Sequence, residues 1–283
     1  MRRAAIPLPL RAAAASCGLL TDPRLPAGAE PFAPPPVYAT WWAMTEACAG
    51  VSRPFSSVRW YRVAGADEVR TPDGRPAGGY WESSTGRVVL AGTRVLWGGT
   101  VRHEMLHALL RRRGHPRDAF LGRCGGVVVC AENCVADAGP PPAPAAATAR
   151  VAPAALEVRV AVAPAAPSAA RDSGFFVLVV SARNPAAYPV VVVPPPGGGG
   201  AAPAYQFVAW GPAGGLQGGI GSLDPGHVQF GPGETKRQVF DFVLGPRMGE
   251  GYPDATTLPP GRYRIEGRFG GQGAVLEPVE LNP

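Results

Sequence analysis

The residues with the most chemical meaning in this 283-residue chain stand together at His103-Glu104-Met105-Leu106-His107. A spacing of four puts both imidazoles on one helix face, a turn apart. There they can share one Zn2+ ion at about 2.0–2.1 Å each. Glu104 sits beside the first ligand, directed toward the position where water on the ion would lie, which is the HExxH arrangement of a metallopeptidase. In that chemistry the ion acidifies water and polarises a carbonyl, while Glu104 takes the proton and returns it to the leaving amine. Three of the four histidines in the chain fall between His103 and His115. Met105, Leu106, Ala108 and Leu109 are apolar and suit the buried side of the same helix.

The string HEMLHALL, followed by Gly114-His115-Pro116 and Phe120, resembles the SprT-like zinc metallopeptidases over roughly twenty residues. The resemblance implies Zn2+ as cofactor, His103 and His107 as the first two ligands, Glu104 as the catalytic glutamate and His115 as the third ligand. The gap between His107 and His115 is shorter than in many SprT-like proteins. Metzincins are not matched, because Leu110 and Arg113 stand where their glycine and third histidine would be. A helix unbroken to Arg113 would end about 9 Å beyond His107, so the chain would have to fold back to return His115 to the metal, which an earlier helix end near Leu110 makes easy. Glu132, Asp118 and Asp137 are the replacement ligands, with Glu132 first.

The elements that position this motif emerge from pattern. Val37 to Gly50 suits a helix, Ser57 to Val63 a strand, and Tyr80 to Glu82 and Arg87 to Ala91 two more strands. Apolar spacing predicts a helix from Leu96 to Arg113, stopped by Gly114 and Pro116. That is an α+β order, expected as a zincin-like domain over residues 37–138. In such domains the strand before the motif helix is an edge that pairs with extended substrate, a role expected of Arg87 to Ala91. Tyr80 and Tyr61 are the candidates for an oxyanion-stabilising group.

Residues 139–155 are rich in Pro and Ala and read as a stiff linker. Beyond them, alternating stretches such as Leu156 to Val162 and Arg262 to Phe269, separated by Gly/Pro turns, predict an all-β immunoglobulin-like sandwich over residues 156–283. Its charged residues (Asp224, Glu234, Lys236, Asp241, Glu266) read as solvated strand faces, and His227 as a loop histidine.

The first 17 residues begin with Arg2-Arg3 and lead through an apolar stretch to Ala14-Ala15-Ser16-Cys17, resembling a bacterial lipoprotein signal in which Cys17 is lipidated. Pro7, Pro9 and Arg11 depart from that pattern. Residues 18–36 read as a flexible tether. Four cysteines remain, Cys48, Cys124, Cys130 and Cys134, an even number suited to two disulfides in an oxidising compartment. Three pairings are open to them, and Cys48–Cys124 with Cys130–Cys134 is favoured over a thiolate metal site.

The net charge of +6 comes almost wholly from arginine, with Lys236 the only lysine, and its one dense cluster, Arg111 to Arg113, falls where cations offset a helix dipole. Nucleic acid is therefore not the expected partner. The expected partner is a peptide or protein substrate, with the membrane reached only through a lipid anchor, in the periplasm or at the cell surface. The main reading is an exported zinc metallopeptidase. The alternative is a non-enzymatic surface lipoprotein that binds a protein or glycan through its sandwich. A third reading, a cytoplasmic SprT-like protease acting on DNA-bound proteins, suits the basic pI but neither the cysteines nor the Ser16-Cys17 signal.

Overall fold

In the computed structural model, residues 25–140, 148–163, 175–193, 205–211, 214–220, 229–244, 256–258, 261–270 and 272–281 are described. The signal-like segment with Cys17, residues Asp224 and His227, and the side chain of Glu132 lie outside them. No helix among the described residues is long and apolar enough to cross a membrane.

The first half is mixed α/β. Helix α1 (Val37–Ala49) buries Tyr38, Trp41, Trp42, Thr45 and Cys48 at helical spacing and stops at Gly50, whose φ of 68° ends it in the left-handed region. Strands β1 (Ala29–Pro31), β2 (Arg59–Val63), β5 (Gly79–Glu82) and β6 (Arg87–Ala91) form one sheet in the order β1-β2-β6-β5. The short hairpin of β3 (Val69–Arg70) and β4 (Pro76–Ala77) lies between β2 and β5 in the chain. Helix α2 (Gly98–Leu110) carries the motif, and Val101, Met105, Leu106, Ala108 and Leu109 join the core formed by α1, Trp81, Val88 and Leu90. A π-helical turn at Asp118–Arg123 and the short helix α3 (Glu132–Asp137) complete this half.

Two expectations are overturned by this sheet. Strand β6 is interior, paired in parallel with β2 and antiparallel with β5, and all five of its residues are buried. The edge beside α2 is β5. The end of the expected tether is also structured, since β1 pairs antiparallel with β2, Ala29 opposite Val63.

The second half is β-rich. Strands β7 (Ala149–Val151), β10 (Val190–Val192) and β13 (Gln229–Phe230) form a three-stranded sheet. One four-stranded sheet contains β8 (Glu157–Ala163), β9 (Phe175–Arg183), β14 (Thr235–Leu244) and β15 (Thr256–Leu258). The other contains β11 (Tyr205–Gly211), β12 (Gly214–Ile220), β16 (Gly261–Phe269) and β17 (Gln272–Leu281). Leu178, Val180 and Phe242 from the first share one apolar core with Phe207, Tyr263 and Ile265 from the second. Because β7 pairs with β10, the stretch expected as linker is already part of this half from Ala149.

The halves are joined by more than a linker. Val177 and Val239 belong to the core of the first half. The Val239 amide donates to the Gly126 carbonyl at 2.8 Å. Gly126, at φ 79°, lies so close to the Arg237 carbonyl that any Cβ would collide with it. Asp241, expected on a solvated face, is instead largely buried and accepts both guanidinium nitrogens of Arg102 at 2.8 and 2.9 Å and the Trp41 indole N–H at 3.0 Å. The expected solvation fails because β14 turns this residue toward α2 rather than toward water.

Candidate metal centre

Helix α2 ends at Leu110, because Arg111 adopts the left-handed conformation at φ 52° and ψ 40°. This sharp turn removes the geometric obstacle of a longer helix. The chain doubles back through Gly114, and His115 returns to the face that carries His103 and His107. The three Nε2 atoms then form a near-equilateral triangle: His103 to His115 is 3.1 Å, and His107 lies 3.2 Å from each of the other two. Phe120, fully buried on the π-helical turn, sets its ring centroid 4.8–5.0 Å from all three imidazoles and backs the cluster.

The Nδ1 atoms determine what the triangle can do. His103 Nδ1 lies 2.8 Å from the Val129 carbonyl oxygen, His107 Nδ1 2.7 Å from the Arg112 carbonyl oxygen, and His115 Nδ1 2.8 Å from Asp137 Oδ2. Carbonyls can only accept. The Asp137 carboxyl is held below its ordinary range, chiefly by the His115 side-chain hydrogen bond, so it too is an acceptor. Each ring therefore donates through Nδ1–H. Burial pushes His103 well below the ordinary histidine range and His107 down to about 4, and the neighbouring imidazoles push the same way. A neutral ring with its proton on Nδ1 has a bare lone pair on Nε2. With Nδ1 donating on each ring, the three Nε2 atoms converge on one point, an arrangement that a cation fits. Two nitrogens each ~2.0–2.1 Å from one tetrahedral ion stand about 3.3 Å apart, close to the spacing found. The three histidines can thus hold a metal ion with a fourth position open, and imidazole donors suit zinc, copper, iron or nickel.

Glu104 lines the same cleft, a space of about 440 Å³ whose walls include Gly79, Trp81, Thr100 and Arg113. Its side chain is buried, and burial raises its carboxyl to about 8 despite a hydrogen bond from the Trp81 backbone. Ala91 N–H bonds to the Gly78 carbonyl, and Tyr80 pairs with Val89 across β5 and β6. In an antiparallel ladder the alternate residues, Gly79 and Trp81, then turn their backbone groups outward, here toward the cleft.

The other candidates divide between the cleft and the rest of this half. Tyr80 and Tyr61 belong to a separate cluster with Val69, Val63 and Val89, whereas the neighbouring Trp81 packs with the motif helix. Tyr80 nevertheless lines the cleft, whereas Tyr61 is not among its lining residues, so of the two only Tyr80 is placed at the site. Asp118 pairs with Arg123 at the surface, 3.3 Å away. Asp137 meets His115 at Nδ1 and so supports that ring rather than replacing it. Cys48 joins Cys124, and Cys130 joins Cys134, with Cα separations of 5.1 and 5.2 Å. Sequence reasoning misses the roles of the Val129 and Arg112 carbonyls and the Trp81 amide, because backbone groups have no residue-type signature. Phe120 lies within the family-like string, but nothing in its spacing gives it contact with all three rings.

No protein-family profile matches the chain, and no curated protein matches it. Among solved structures, similarity is found to the Pseudomonas fluorescens alkylpurine DNA glycosylase AlkC bound to DNA containing an abasic site analogue. The identity is 11%, over 44% of this chain and 30% of that one, with a TM-score of 0.25. A Northeast Structural Genomics Consortium target, SoR45, is 12% identical over 46% of this chain and 88% of its own, also at a TM-score of 0.25. The putative ApaA protein of Bordetella pertussis is 14% identical over 44% of this chain and 85% of its own, at 0.17. The chain spans under a third of the glycosylase, and no likeness at this level bears on fold or activity.

Proposed function

We propose that this chain is an exported zinc metallopeptidase that hydrolyses peptide bonds, with His103, His107 and His115 as ligands and Glu104 as general base. The observation that carries this reading is the convergence of three Nε2 atoms in a cleft that Glu104 also lines. A zinc ion held there would supply a Lewis acid that acidifies water and polarises the scissile carbonyl. The chain's own residues do the rest. The outward backbone of Gly79 and the Trp81 carbonyl on β5 pair with an extended peptide, giving affinity with little side-chain selectivity, while the Trp81 N–H holds Glu104. Glu104, with its affinity for a proton raised by burial, accepts one during attack and returns it to the departing amine.

On this reading the first half is a zincin-like catalytic domain, locally akin to SprT-like peptidases, and the two four-stranded sheets of the second form an immunoglobulin-like accessory sandwich. Two disulfides suit an oxidising compartment, in keeping with lipidation at Cys17 and attachment to a bacterial envelope. Palmitate labelling that depends on Cys17 is the expected result.

The decisive experiment measures metal content of the purified chain by mass spectrometry beside His107→Ala and His115→Ala, then peptide hydrolysis beside Glu104→Ala. About one zinc per chain, absent from both histidine variants, with hydrolysis abolished in Glu104→Ala, is the expected outcome. Zinc without hydrolysis on any peptide library would favour the surface-binding lipoprotein, for which Glu104 is dispensable. A wild-type chain that takes up no metal after supplementation would sink the peptidase.

A further inference from the structure

The three ligands are not held equally. His103 and His107 leave α2 one turn apart, so the helix itself fixes their Cα positions. His115 lies beyond the left-handed turn at Arg111, on an irregular segment between Gly114 and Pro116. Phe120 packs against its ring, and the hydrogen bond that orients it comes from one carboxylate. The Asp137 carboxylate accepts from His115 Nδ1 at 2.8 Å and from the His115 backbone N–H at 3.2 Å.

Asp137 is the last residue of α3, a helix of six residues. The Cys130–Cys134 disulfide, four residues apart in sequence, ties this helix to the segment just before it. At the other side of that closure stands Val129, whose carbonyl accepts from His103 Nδ1. Val129 is in turn fixed to the start of α2, where its amide donates to the Gly99 carbonyl at 3.2 Å. Two of the three hydrogen bonds that orient the imidazoles therefore come from residues 129–137, a short stretch braced covalently by this disulfide.

We infer that residues 129–137 form a clamp that sets the metal affinity of the centre, with Asp137 as the positioning residue for His115 and the Cys130–Cys134 bond as its brace. Asp137 acts through His115 and does not touch the metal. Its carboxylate fixes the ring so that Nε2 faces the other two. Outer partners of this kind change metal affinity by about 10–100-fold. The inference rests on the three-histidine centre, not on peptide hydrolysis.

The test titrates zinc against a chromophoric chelator in the full oxidised chain for Asp137→Ala, Asp137→Asn and the Cys130→Ser/Cys134→Ser pair. It also measures the rate of zinc release and the melting temperature of each metal-free protein. Asp137→Ala is expected to bind zinc about 10–100-fold more weakly, with faster release. Asp137→Asn, which keeps an accepting oxygen but loses the charge, should fall between alanine and wild type. The serine pair should weaken binding in the same direction. The metal-free melting temperature of the Asp137 variants should stay at the wild-type value, because this carboxylate is more than half exposed and braces a ring rather than the core. Wild-type affinity in Asp137→Ala would overturn the inference, as would a loss matched by an equal fall in metal-free stability. A chain that binds zinc normally but cleaves no peptide removes the proposed activity and leaves the clamp standing.

Discussion

Glu104 is an acid placed where its charged form has lost its water. With its carboxyl raised to about 8 in the folded chain against an ordinary 4.5, the native state keeps a proton that the unfolded chain releases. Linkage gives the sign: stability from this group is full below about 4.5 and is lost as pH rises through about 8. His107 works the other way, because its folded value of about 4 lies below the ordinary 6.5. The unfolded chain binds protons there that the native chain refuses, so stability rises with pH across that window. In chelator-treated protein, Glu104→Gln should remove the falling limb alone. Urea denaturation should find the variant level with wild type near pH 4.5 and more stable by a few kcal/mol at pH 8. A difference that does not vary with pH would mean that the carboxylate is solvated. In the zinc-loaded protein the same variant should retain the metal and lose about 10²–10⁴-fold in turnover, read as kcat on a cleavable peptide. The site residues are legible in sequence to this extent: His103, Glu104 and His107 announce themselves by spacing, whereas the Nδ1 acceptors that orient the imidazoles are mostly carbonyls, which every residue has.

At the scale of elements, the return of His115 depends on where α2 stops. Gly114 and Pro116 signal an end in the sequence, yet the helix finishes four residues before Gly114, at Leu110, with a non-glycine residue in the left-handed conformation. No propensity marks Arg111 for that role. It is exposed, and the turn is imposed by contacts made farther along the chain: the Arg112 carbonyl must reach His107 Nδ1 and His115 must reach the cluster. A left-handed L-residue costs about 1–2 kcal/mol, and glycine recovers most of this while losing about 0.5–1 kcal/mol of unfolded-state entropy. Arg111→Gly should therefore raise stability by a few tenths to about 1 kcal/mol, measured by denaturant midpoint, with zinc binding unchanged. Strand positions are similarly half legible. Arg87 to Ala91 reads correctly as a strand because it is continuously apolar after its first residue, but that same pattern belongs to a buried interior strand, so its expected edge role passes to β5. In the second half, β12 escapes notice because GGLQGGI has neither alternation nor β-branching before its last residue. The Cys48–Cys124 bond ties α1 to the end of the turn that carries Phe120 and closes 76 residues. Replacing both cysteines with serine should cost about 4 kcal/mol by loop-closure entropy, seen as a lowered melting temperature in oxidised protein.

At the scale of the whole molecule, the two halves behave as one folded unit built around the motif helix. Sequence texture divides them at a Pro/Ala-rich stretch, because composition reports on the covalent connection and not on what packs across it. The packing is specific. Arg102 immediately precedes His103, is 2% exposed, and spends both terminal guanidinium nitrogens on Asp241 from β14 and its Nε on the Val127 carbonyl. Its partner is 12% exposed, so this ion pair is mostly shielded from water. A pair of that kind adds little net stability over apolar residues, but removing one partner strands the other's charge at a cost of about 3–5 kcal/mol. Asp241→Ala should thus destabilise the chain by about that amount, although Asp241 belongs to the half without the histidine cluster. The effect should be larger than that of Asp137→Ala on metal-free stability, because Asp137 sits at the surface and Asp241 closes the seam. A second consequence separates a seam from a mere neighbour. Because Val177 and Val239 sit in the core that α2 shares, a chain cut after residue 140 would leave that core open to water. It should be insoluble or lack a cooperative melting transition, whereas two independent domains would each melt on their own. Calorimetry of the full chain should accordingly show one transition, and two well-separated transitions with Asp241→Ala affecting only the second would mean that Arg102 holds its place without the β-rich half.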